Sequence, residues 1–141
     1  MTKIFFILFI LFSSQLFADN EFVGKKFLCK KLLWGFDFFS AEKVNVISTN
    51  INNKTNVEEY YYEIGIQLPY INLYLNKENK KDTAFSIHRE EFRIDIWTMT
   101  SGGNTTRTFI PSGFCEEVKV SNIVNYIDDL KDNKIKEVKK D

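Results

Sequence analysis

The sequence predicts an all-β protein: an antiparallel meander barrel carrying one short C-terminal helix. Three observations carry this expectation. Apolar residues recur with period two through most of the chain, the pattern of strands with one buried face. Clusters rich in Asn, Ser, Gly and Lys interrupt those runs at short intervals. Only after Ser121 does the apolar spacing become helical. Seven to nine short strands in roughly ninety residues would leave an open sheet with edges to protect, and closure into a barrel removes them. A β-sandwich is the alternative architecture.

The elements follow in chain order. Residues 1–18 read as an export signal, with Lys3 as the positive start and Ile4 to Phe12 as an unbroken apolar run. Leu16-Phe17-Ala18 then supplies a cleavage site ending in a small residue. A run this short cannot span a bilayer, which needs about 20 residues, so no membrane span is expected after cleavage. The domain proper is expected over 19–132, followed by a charged flexible tail over 133–141.

Within the domain, Phe27 and Cys29 share one strand face, as do Phe36 and Phe38, then Val44 and Val46. The clearest alternation sets Tyr60, Tyr62, Ile64, Ile66 and Leu68 against Tyr61, Glu63, Gly65 and Gln67, and Pro69 ends it. Ile71, Leu73 and Leu75 form the next strand, then Phe85 and Ile87, then Phe92, Ile94 and Ile96, with a last strand around Phe109 and Cys115. The expected loops are Ser40–Lys43, Asn50–Asn56, Lys77–Asp82 and Ser101–Asn104, with a turn at Pro111-Ser112-Gly113. Ser121 is the expected cap of a helix carrying Ile123, Ile127 and Leu130 on one face.

The segment Phe22-Val23-Gly24-Lys25-Lys26-Phe27 resembles the opening motif of the lipocalin and fatty-acid-binding (calycin) barrels. There an apolar residue and a glycine precede a buried aromatic of the first strand. Here Lys26 stands at the family's tryptophan position, and the aromatic follows at Phe27. The helix from Ser121 to Leu130 is similar to the one lipocalins pack against the barrel wall. The resemblance implies a barrel that holds a small apolar ligand. The chain also resembles small secreted bacterial proteins in which one disulfide joins an early strand to a late one.

Export gives the two cysteines a meaning. In an oxidising compartment Cys29 and Cys115 are expected to form one disulfide near the two ends of the domain. The expected location is the bacterial periplasm or the medium.

Charge and motifs exclude more than they select. Nineteen Lys and Arg oppose nineteen Asp and Glu, and removal of Lys3 with the signal leaves a net charge of −1. No electrostatic case for nucleic acid follows. His88 is the single histidine, and no nucleophile elbow or Cys-x-x-Cys accompanies it, so no catalytic residue, metal site or cofactor is expected. The acid doublets, such as Glu58-Glu59 and Asp128-Asp129, lie on opposite faces when in strands and otherwise read as solvated.

The expected function is therefore that of a monomeric, non-enzymatic exported binding protein. Phe36, Phe38, Tyr60, Tyr62, Ile64, Phe92, Ile94 and Ile96 are the candidate lining of an interior pocket for a small apolar molecule. Side chains that simply fill the barrel are the competing expectation for those positions. Tyr61, Tyr74 and Trp97, on the opposite face, are the candidate surface for another exported protein, as in an inhibitor of an exported or foreign hydrolase.

Overall fold

A computed structural model describes residues 20–65, 69–78, 83–99 and 105–138. The signal segment, Ile66, Leu68 and the Ser101–Asn104 loop thus lie outside the described residues. Nine strands run β1 Lys26–Cys29, β2 Trp34–Asp37, β3 Lys43–Thr49, β4 Thr55–Ile64, β5 Tyr70–Tyr74, β6 Thr83–His88, β7 Arg93–Met99, β8 Thr105–Phe114 and β9 Glu116–Glu117, and helix α1 covers Ile123–Val138. From β1 to β8 each strand pairs antiparallel with the next, as hairpin connections dictate. β9 follows β8 after the single residue Cys115 and pairs with β1, Phe27 facing Glu117 and Leu28 facing Glu116. The chain's last strand thus returns to its first, and the sheet is one nearly closed barrel, not two packed layers. The Cys29–Cys115 disulfide lies at this seam.

The alternation does what was expected of it. Phe27, Phe36, Phe38, Val44, Val46, Tyr60, Tyr62, Ile71, Leu73, Ile87 and Ile94 bury into one interior core, joined by Phe22 from the entering chain. Gly24 has φ of +82°, a conformation L side chains rarely adopt, and its N–H donates to Phe38 O at 2.7 Å. That bend folds Phe22 over the end of the barrel against Phe27 and Phe38.

β1 is buried on both faces because α1 covers the outside. Leu28, Ile47, Ile123 and Ile127 form a second buried cluster there. Between them lies Gly35 of β2, where a Cβ would stand 2.9 Å from the Cδ1 atoms of both Ile123 and Ile127. Only glycine lets the helix approach this closely. Lys131, 6% exposed, fastens the helix further along. Its ammonium donates to Asn53 O at 3.1 Å, to Thr55 Oγ1, and to Asp128, which also accepts from Thr55. These donors, Lys131 first and then Thr55, hold the Asp128 carboxyl below its ordinary range.

Five expectations need correction. The helix is capped by Asn122, not Ser121: Asn122 Oδ1 accepts from Val124 N and Asn125 N at 2.9 and 3.1 Å. The helix passes Leu130 and takes in residues 133–138, half a dozen of those expected as tail. β4 begins at Thr55, so the asparagine-rich loop is shorter than expected. Leu75 is 60% exposed, because a register shift between Leu73 and Tyr74 ends the alternation. Pro111-Ser112-Gly113 lies within β8, as part of a bulge: Asp95 faces Phe109 while Arg93 faces Phe114. A bulge satisfies the same chemistry as a turn, since Pro has no donor to offer the ladder.

Candidate functional site

The residues expected inside the barrel do come together. Phe36, Phe38, Tyr60, Tyr62 and Ile94 are buried in the core, and Ile64 and Phe92 pack against it half-buried. Ile96 is half-buried on β7 opposite Phe85. Their rings touch one another. Phe92 stacks on Phe27 with centroids 4.9 Å apart, and Phe38 meets the edge of Tyr62 at 4.9 Å. Towards the other end Phe85 contacts Tyr60 at 5.1 Å and Trp34 at 5.8 Å. Aromatic pairs at such distances are in contact, so these side chains occupy the space they line. Tyr60 donates to Glu58 Oε2 at 3.1 Å. Burial, with that carboxylate behind it, pushes its phenol up to about 12.

The outer wall carries the second candidate group. Tyr61 and Tyr74 are partners across β4 and β5, and their rings stack 6.1 Å apart at 18°. Tyr74 is buried at 5% exposure and Tyr61 half-buried, so the pair presents an edge more than two open faces. Lys43 and Lys77 lie over the Tyr61 ring at 5.3 and 6.0 Å. Each is neutralised at 2.6 Å, Lys43 by Glu59 and Lys77 by Glu42, which raises both ammonium groups above the ordinary lysine range. Trp97 faces Arg107 by backbone register, and its side chain lies outside the described residues.

A third feature escaped the sequence. The entering chain, the β2–β3 turn, the end of β4 and the β6–β7 turn line an open cleft of about 480 Å³. Its lining includes Ala41, Tyr62 and Ile64. Asn20 donates to Tyr62 Oη at 2.6 Å and to Ala41 O at 3.0 Å, and the Tyr62 hydroxyl donates to Ser40 O at 2.9 Å. On the rim Arg89 pairs with Glu21, Nη2 to Oε1 at 2.5 Å, and Glu63 stands nearby. Glu21 and Arg89 are 68 positions apart, and neither neighbourhood carries a motif that joins them.

Several other polar groups are engaged structurally. His88 Nδ1 accepts from Glu91 N at 3.2 Å while its ring meets the edge of Tyr70. Lys26 pairs with Asp37 across β1 and β2, and Lys30 with Glu116. Among the described residues no three His, Cys, Asp or Glu side chains converge as metal ligands, and no helix is long and apolar enough to cross a membrane. No family model, curated protein or solved structure matches this chain.

Proposed function

We propose that the chain is an exported, non-enzymatic binding protein that meets another exported protein through its outer surface, as an inhibitor of a hydrolase does. The observation that carries this reading over a small apolar ligand inside the barrel is the ring-on-ring packing of the described interior. A barrel of about this strand number has room either for its own side chains or for one small ligand, and here the described rings take up that room. Recognition then falls to the wall and the end cleft, where an amphipathic aromatic edge and charged groups are offered on a rigid scaffold. Export is supported by the apolar leader and by a disulfide of the kind that persists in oxidising compartments. Kinship of architecture with the lipocalins is supported by the meander barrel and the helix against its wall.

Native mass spectrometry of the protein purified from its own compartment tests the choice between surface and interior. A bare mass is the expected result. A reproducible stoichiometric adduct of small-molecule mass, retained until unfolding, overturns the surface reading in favour of an interior ligand.

A further inference from the structure

The end cleft deepens the surface-binding reading and rests on it. We infer that Arg89 anchors a carboxylate of the partner, and that Glu21 is an internal stand-in for that carboxylate. Glu21 reaches Arg89 through one oxygen on one nitrogen, Oε1 on Nη2. Among the described residues the Arg89 Nε and Nη1 donors have no partner. A guanidinium held this way keeps unused the planar fork that grips carboxylates with two bonds. The root of Arg89 is fixed, its N–H donating to Pro69 O at 2.7 Å, while its side chain is 35% exposed and reachable from solvent.

Chemistry around the fork selects the rest of the ligand. Asn20 and the Tyr62 hydroxyl spend their donors on the protein itself, which leaves Ala41 and Ile64 as the apolar part of the lining. Glu63 adds negative charge to the rim, yet Glu21 shows that a carboxylate is accommodated beside it. A volume of about 480 Å³ suits a group the size of one or two amino acids. The ligand class is thus a carboxylate joined to a short aliphatic side chain, as at the C-terminus of a partner protein ending in an apolar residue. Displacing Glu21 costs little, because an exposed ion pair of this kind is worth no more than about fivefold in an equilibrium constant.

The test is a titration of the folded, isotope-labelled protein followed by amide NMR, with N-acetylleucine, N-acetylleucinamide and an acetylated tripeptide ending in leucine acid as probes. Both acids are expected to shift the amides of Asn20, Ala41, Ile64 and Arg89, and the neutral amide is not. E21Q should tighten acid binding by up to about fivefold. R89Q, with its fold checked by the same spectra, should abolish binding, and R89K should weaken it by removing the fork. Tighter binding of the tripeptide supports a partner's chain end, and tighter binding of the single amino acid overturns it. Equal shifts from acid and amide, binding that survives R89Q, no tightening in E21Q, or no shifts at all each overturn the inference. Such a failure leaves the surface reading standing, since that is decided by the mass measurement.

Discussion

Alanine at position 35 asks whether the helix is an integral part of the barrel wall. The added Cβ would lie 2.9 Å from two isoleucine methyls, those of Ile123 and Ile127. Carbon atoms in contact rest about 3.5–4.0 Å apart, so each methyl must withdraw by roughly 0.6 Å or more. Both belong to fully buried side chains, and moving each off its rotamer costs about 0.5–1.5 kcal/mol. Against this, replacing a strand glycine recovers about 0.5–1 kcal/mol of chain entropy. The net expectation for Gly35→Ala is a loss of about 0.5–2 kcal/mol, or a fall of roughly 2–8 °C in Tm. Urea unfolding followed by the fluorescence of the neighbouring Trp34 measures it. Ile123→Val is the partner substitution, since it deletes the methyl in the way. In the double variant it should cost less than the about 0.5–1.5 kcal/mol expected for Ile→Val alone. Stability unchanged or raised by alanine, or strict additivity of the two substitutions, would refute the close-approach reasoning.

Three further outcomes follow from the same geometry. Cys29→Ala with Cys115→Ala should lose about 4.5 kcal/mol, the chain-entropy value for a loop of this length, and equal denaturation midpoints with and without the bridge would contradict its structural role. Lys131→Met should cost about 1–3 kcal/mol and loosen the helix, because Asn53 O, Thr55 and Asp128 lose their shared donor; faster amide exchange confined to α1 and the β3–β4 loop is the readout. Two titrations have opposite signs. The depressed Asp128 carboxyl contributes stability that is present above its unfolded value near about 4 and is lost as pH falls below it, and Asp128→Asn should flatten that acid limb. The Tyr60 phenol, raised to about 12, contributes stability that is full below its unfolded value near about 10 and is lost as pH rises through 12. Absorbance at the tyrosinate band should show Tyr60→Phe removing a component that titrates near 12.

Much of the barrel was legible because burial on one face writes itself into the sequence with period two. Tyr60 and Tyr62, Ile71 and Leu73, and Ile94 all bury as their parity requires. The disulfide was legible from the expectation of export and from the count of two cysteines. What escaped depends on contacts between distant segments. Gly35 reads as a weak point in a strand until Ile123 and Ile127 arrive from nearly ninety positions away. Lys131 follows the acid doublet Asp128-Asp129, which reads as solvated, and two of its three acceptors, Asn53 O and Thr55, come from the distant β3–β4 connection. The cap moved by one residue because Ser121 and Asn122 are both good caps, and local chemistry alone does not choose. Leu75 was misread because a register shift is invisible to alternation. The end cleft is assembled from four separate segments, so no local pattern marks it.

The bond between Cys29 and Cys115 has a consequence beyond stability. It spans the meander from first strand to last, so every hairpin tip from the β1–β2 turn to the β7–β8 connection lies inside one covalent ring. A protease that cuts once at an exposed tip, such as the loop around Ile51, opens that ring without releasing a fragment. The two halves stay tethered, and their re-pairing remains a unimolecular event set by the length of the tether instead of by dilution. Wherever a protease meets the folded chain, a single nick then leaves a barrel that can close again.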